Sequence, residues 1–239
     1  MKYVFVLLFF FAASSSCYKS SIEAMPAPTD PISAPLKKYT YLALGDSYTI
    51  GESVPFLLNF PNQVLPLFND EKLAIGSPRI IAKTGWTTDE LEEGIIAANT
   101  AEPLLGAYDF VSLLIGVNNQ YRGRTVESYK PEFEALLLKA IQFAGNRSER
   151  VVVLSIPDWG VTPFATGRDR HQIATEIDAY NAANKEVSLK FNVHYIDITP
   201  WTRESANDNS LLAADGLHPS GKEYRRWAEK VAIFFRSRF

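Results

Sequence analysis

Residues 109–119 read Asp-Phe-Val-Ser-Leu-Leu-Ile-Gly-Val-Asn-Asn, and residues 151–156 read Val-Val-Val-Leu-Ser-Ile. Both runs are short and almost wholly apolar, as expected of strands buried on both faces of a parallel sheet. Working outward, Tyr39–Leu44, Arg79–Ala82 and Val193–Ile198 are also β-rich, which makes five predicted strands. The intervals carry helical spacing. In Thr125–Phe143, the side chains Phe133, Leu136, Leu137, Ala140 and Ile141 fall on one face, and Gly145-Asn146 follows as a stop. Thr87 and Glu90 stand three apart, the spacing of a capping box for a helix running to about Asn99. Ile173–Lys190 and Ser220–Phe235 are predicted as further helices. Strands alternating with helices imply an α/β fold of three layers, α/β/α, around a five-stranded parallel sheet.

Composition agrees with a folded domain. Of 239 residues, 46% are hydrophobic, and 27 acidic groups against 24 basic give a net charge of -3. That balance excludes a disordered or collagen-like chain and argues against a general nucleic-acid binder. The length fits one domain with extensions. One cysteine cannot form an internal disulfide, and three histidines leave little for a histidine-rich metal site.

The extension is at the start. Lys2 precedes eleven apolar residues, Tyr3 to Ala13, and then Ser14, Ser15, Ser16 and Cys17. A charged beginning, a short apolar core and small residues form a secretory signal over residues 1–16, too short to span a bilayer as a helix. The lone Cys17 stands where such a signal is cut. This resembles a bacterial lipoprotein signal, which implies lipidation of Cys17 and an envelope location. An ordinary cleaved signal, with a periplasmic or secreted product, is the alternative. Prolines at 26, 28, 31 and 35 make residues 17–36 an extended tether, so the folded domain is expected over 37–239.

In an open parallel sheet, ligands bind beyond the carboxyl ends of the strands. The residues following each predicted strand are therefore the candidates. The first strand is followed by Gly45-Asp46-Ser47-Tyr48-Thr49, with a serine placed to act as a nucleophile or simply to turn the chain. Gly85 follows the second strand, just ahead of a helix, where its N–H can donate to an oxyanion. The third is followed by Gly116-Val117-Asn118-Asn119, whose amides can donate to the same oxyanion or close an Asx turn. Asp215-Gly216-Leu217-His218-Pro219 precedes the last helix, with Pro219 expected at its first position. A spacing of three in a turn lets Asp215 reach the imidazole of His218, the orienter and base of a triad, or else only cap the helix.

In this order the four segments resemble the SGNH (GDSL-type) hydrolase family, over nearly the whole domain. The resemblance implies a flavodoxin-like fold and an ester hydrolase that needs no metal or organic cofactor. It implies Ser47 as nucleophile, His218 as base, Asp215 as its orienter, and Ser47, Gly85 and Asn118 as the oxyanion hole. Asp46 is expected to support the site by hydrogen bonding. Position 119 is Asn where the family often has Asp, a departure that touches local support and not the reaction.

The family spans lipid, thioester, aryl ester and acetylated-sugar substrates. Short-acyl or lipid-type esters are the leading expectation. A carbohydrate O-acetyl esterase, or a non-catalytic surface module on the same fold, is the alternative. Residues 53–62 (SVPFLLNFPN) offer apolar shelter for an acyl chain, and Trp159 and Phe164 within 156–168 offer stacking surfaces; simple packing is the competing expectation for both. Arg122 and Arg124 either meet an anionic group or are solvated. His194 is expected as a packed or edge residue and His171 as a solvated turn residue, with no metal spacing between them. Asn146-Arg147-Ser148 fits a glycosylation sequon but reads as a helix-end loop in an exported bacterial chain.

Overall fold

The computed structural model describes residues 1–3 and 36–239. Residues 4–16 of the predicted signal and residues 17–35 of the tether lie outside the described residues. Five parallel strands form the sheet: β2 (Tyr41–Asp46), β4 (Arg79–Lys83), β5 (Phe110–Leu114), β6 (Val151–Leu154) and β7 (His194–Ile196), in the order β4-β2-β5-β6-β7. Every residue of β2, β5 and β6 is buried, as their apolar runs require.

The predicted first strand is two strands. It breaks at Thr40, and β1 (Lys37–Tyr39) leaves the main sheet to pair in parallel with β3 (Leu73–Ile75). Asp109 causes the break. Its carboxylate accepts from both the N–H and the hydroxyl of Thr40, at 2.9 Å each, and so replaces the ladder partner.

Helices α3 (Thr88–Ala101), α5 (Val126–Phe143) and α6 (Arg170–Lys190) follow strands that advance in one direction across the sheet. Helix α2 (Phe60–Phe68) belongs to the opposite step, from β2 to β4. Parallel crossovers are right-handed, so α2 covers the other face. Helix α8 (Gly221–Arg236) joins it there, and Phe235 stacks on Phe110 of β5 at 4.1 Å. These are the three expected layers.

The capping box of α3 is present, with Glu90 accepting from the Thr87 N–H at 2.9 Å. The Thr125 hydroxyl caps α5, accepting from the Ser128 N–H. Helix α8 begins two residues after the Pro219 expected at its first position. Ser220 is its cap and Gly221 its first residue, so Pro219 stands outside it, in a bridge to Leu212.

Candidate active site

The strand ends β4, β2 and β5 are neighbours, and the segments leaving them meet at one edge of the sheet. Gly45 in β2 makes this possible. A Cβ there would lie 2.4 Å from the Leu114 carbonyl of β5 and 2.1 Å from the Thr49 hydroxyl, so only glycine fits. After it, Asp46 caps the short helix α1 (Ser47–Ile50) by accepting from the Tyr48 N–H at 3.0 Å. Ser47 is thereby the first residue of a helix at a strand end, an abrupt turn that presents its side chain to the edge.

Ser47, Gly85, Asn118 and His218 line one open cleft. Asp215 lies behind His218. Its Oδ2 is 2.6 Å from His218 Nδ1, and its Oδ1 accepts from the N–H groups of Leu217 and His218 at 3.0 Å. A contact through Nδ1 leaves Nε2 as the ring nitrogen free for other chemistry. Burial would raise the Asp215 pKa, but hydrogen bonds from His218, Ser53 and the two backbone groups outweigh it and hold it at about 2. Asp215 is thus an anion wherever the protein is folded in ordinary buffers. The Tyr48 ring packs against the imidazole at 4.9 Å and limits its movement.

The Asn118 amide is oriented by donating to the Trp86 carbonyl at 2.9 Å and, at 3.4 Å, to Asp46. Asp46 therefore supports both the Ser47 turn and Asn118, the role expected of it. It is fully buried, and desolvation raises its pKa to about 7 against the opposing effect of the Tyr48 N–H. Asn119, buried beneath, accepts from the Thr88 N–H at 3.1 Å and donates to the Thr88 hydroxyl at 2.6 Å. A carboxylate could not make the second bond as donor, so the amide at this position ties β5 to the start of α3 without loss of support.

Gly85 lies just ahead of the start of α3, as expected. It sits in a turn ahead of the Thr87 cap with φ +83°, a left-handed conformation that favours glycine. Arg122 holds this turn, donating to the Gly85 carbonyl at 2.6 Å while pairing with Glu90 at 3.0 Å. Arg124 pairs with Asp89 at 2.8 Å. Both arginines are engaged within the protein.

The cleft wall is apolar. Tyr48, Tyr121, Trp159, Phe164 and Leu217 contribute to it. Tyr121, Trp159 and Phe164 contact one another with ring centroids 5.3–6.1 Å apart, and the indole N–H of Trp159 donates to Gln120 at 2.7 Å. Of the two aromatic residues expected near the site, Trp159 is buried in the wall and Phe164 is half exposed. Residues 53–62 do not line the cleft. His194 is an exposed edge residue stacked on Phe234, and His171 is exposed in the first turn of α6.

Sequence reasoning missed Ser53, Tyr48 and the Arg122 tie. Ser53 Oγ donates to Asp215 Oδ2 at 2.7 Å, from a backbone at φ +62°. Only Tyr48, adjacent to Ser47, carried a local signal.

A comparison with curated proteins finds no sequence match. Among solved structures, a member of the lipolytic protein G-D-S-L family from Veillonella parvula DSM 2008 superposes with a TM-score of 0.62 at 18% identity, covering 84% of this chain and 99% of that one. The lipase/acylhydrolase from Enterococcus faecalis gives 0.59 at 22% identity, with 84% and 96% covered. The acetylxylan esterase Axe2 from Geobacillus stearothermophilus gives 0.59 at 17%, with 82% and 94% covered. These likenesses are likenesses of fold. Residues 43–226 match the GDSL-like Lipase/Acylhydrolase family, a span that takes in every segment converging on the cleft, and the chain belongs to that family.

Proposed function

We propose that the protein is a serine esterase that hydrolyses carboxylic esters through an acyl-enzyme on Ser47. The observation that carries this reading is the Asp215–His218 contact at 2.6 Å, with His218 and Ser47 lining the same cleft. His218 takes the Ser47 proton through Nε2 as Oγ attacks the ester carbonyl. Anionic Asp215 holds the imidazole by Nδ1 and stabilises its charged form. The oxyanion is received by the N–H groups of Ser47 and Gly85 and by the Asn118 amide, which exchanges its long 3.4 Å contact with Asp46 for the oxyanion. His218 then protonates the departing alcohol, and water, activated by the same imidazole, releases the acid and restores Ser47.

The test is Ser47→Ala assayed on a chromogenic acetyl ester. Activity should fall to background, and unchanged hydrolysis rules the assignment out. A serine-directed organophosphonate should label Ser47 in the parent and fail to label His218→Ala.

Within the ester substrates, short-acyl or lipid-type esters are our first reading, because the cleft wall is built from apolar and aromatic side chains. Tyr121 and Phe164 also expose about half of their surface, which supports a second reading, a carbohydrate O-acetyl esterase that stacks sugar rings there. An acyl-chain series run beside acetylated xylan separates them: an optimum at six to ten carbons supports the first, and a preference for acetylated glycan supports the second.

Export to the bacterial envelope is proposed on the residue 1–16 pattern, with lipid attachment at Cys17. Metabolic labelling with a radioactive fatty acid should mark the parent chain and not Cys17→Ser.

A further inference from the structure

Residues 53–62 pass close to the candidate site without entering the cleft. Within them, Phe56, Leu57 and Leu58 form a 3-10 turn and are 62%, 72% and 42% exposed. Three consecutive large apolar side chains facing water are costly to solubility, and their position is built rather than incidental. Asn62 donates to the Phe56 carbonyl at 3.0 Å, and Gln63 donates to the Leu58 carbonyl at 2.6 Å and to the Gly221 carbonyl at 2.8 Å. Asn59 donates to the Ile50 carbonyl at 3.0 Å. These three amide side chains are buried, so the base of the turn is fixed and its side chains cannot fold inward.

The turn also adjoins the site. Ser53, two residues before its Pro55 cap, bonds Asp215. Leu58 packs so close to Gly221, three residues beyond His218, that a Cβ there would be 3.0 Å from it. Phe164, itself half exposed, reaches the same loop, its N–H donating to the Gly216 carbonyl at 3.3 Å.

We propose that the Phe56–Leu58 turn is a lipid-surface anchor that inserts into the interface of a phospholipid bilayer and holds the cleft at that surface. This extends the lipid-type reading of the substrate and rests on it. Size selects the occupant. Three side chains offer a few hundred Å² at most, on the order of the largest patch of an ordinary monomer. A stable protein interface uses about 800 Å² on each side. A bilayer needs no matching contour, only apolar side chains that reach past the headgroups, as interfacial anchors do.

The experiment uses the full chain with Cys17→Ser, which removes the sole cysteine and any lipid attached to it. Leu57→Cys in that background takes an environment-sensitive fluorophore, and Ile96→Cys, exposed on α3, serves as the control position. On vesicles of phosphatidylethanolamine and phosphatidylglycerol, the probe at 57 should shift to the blue and become shielded from an aqueous quencher, while the probe at 96 stays wet. In parallel, the Phe56→Ser/Leu57→Ser/Leu58→Ser variant should cleave a soluble acetyl ester within twofold of the parent. Its rate on an ester embedded in the same vesicles should fall tenfold or more.

Equal wetting of both probes overturns the proposal. So does a shift at 57 without vesicles: one that grows with protein concentration identifies a second copy as the occupant, and one independent of concentration identifies the chain's own residues 4–35. Failure of the esterase reading shows separately, as an unchanged rate in Ser47→Ala on the soluble ester.

Discussion

Ser53 and Asp215, 162 residues apart, are joined by a 2.7 Å hydrogen bond that ends on the same carboxylate oxygen as the His218 Nδ1 contact. Ser53 accepts a left-handed backbone, φ +62°, to make it. Non-glycine residues rarely adopt this conformation, and it persists where the surroundings enforce it. Ser53→Ala should lower kcat/KM by up to about tenfold, the scale of one partly exposed hydrogen bond to a charged group. Loss of the donor raises the Asp215 pKa from about 2 but leaves the carboxylate anionic at working pH, so the loss should appear in kcat/KM at every pH assayed. Ser53→Gly, which relieves the backbone strain and also lacks the hydroxyl, should show the same loss, and parent-like activity in both variants would exclude the role.

Asn118→Ala removes the one side-chain donor proposed for the oxyanion. Such donors are worth about 2.7–4 kcal/mol in transition-state stabilisation, so kcat should drop roughly 10²–10³-fold. The amide's bond to the Trp86 carbonyl is lost as well, and far-ultraviolet circular dichroism should confirm that the fold persists.

Arg122→Ala tests the Gly85 turn. The Arg122–Glu90 pair is substantially exposed, so its removal should change thermal stability little. The turn it holds carries the Gly85 N–H, and kcat should fall about tenfold with less change in KM. Arg122→Lys should not restore it, because a single ammonium cannot reproduce the fork that spans the Gly85 carbonyl and Glu90.

Asp46 ties stability to pH in the direction opposite to that of most carboxylates. Its folded pKa of about 7 lies above the 3.8 of an ordinary aspartate, the value expected when unfolded. Folding therefore favours the neutral form. The contribution is full below the unfolded pKa, declines as the unfolded chain ionises, and is lost by the time pH rises through the folded pKa. Between about pH 4 and 7, urea denaturation should show a loss on the order of a few kcal/mol that Asp46→Asn does not share. Equal slopes for the two proteins would exclude the effect.

The layers of the fold were legible because burial on both faces leaves a mark in residue type. FVSLLI and VVVLSI admit few other interpretations, and the Thr87–Glu90 box is a local device with a local spacing. Asp215 and His218 were legible for the same reason, since three residues in a turn suffice to join them. Helix α2 was not. Its segment, FPNQVLPLF, carries Pro61 and Pro66 and holds its shape through the Asn59 cap and packing on α8, neither of which spacing reveals. The β1–β3 pair consists of three-residue strands, too short for a periodic pattern. Ser53 reaching Asp215 and Arg122 reaching Gly85 are contacts across the chain, and no neighbouring residue announces them. The 53–62 segment shows the limit most clearly: its composition suggested shelter for an acyl chain, while its buried amides turn the apolar side chains outward.

The two halves of the site are held by different means. Ser47, Gly85 and Asn118 leave adjacent strands whose separation is set by main-chain ladders, with Asp46 opposite Lys83 and Gly45 opposite Leu114. The strands they leave are spaced by the sheet itself, about 4.8 Å apart, and cannot drift without breaking the core. Asp215 and His218 ride instead on a loop closed by the Leu212–Pro219 bridge and by the Ala213 N–H to His218 carbonyl bond of 2.7 Å. On warming the loop is therefore expected to loosen before the sheet, so a proposed loss of turnover should precede the loss of far-ultraviolet circular dichroism.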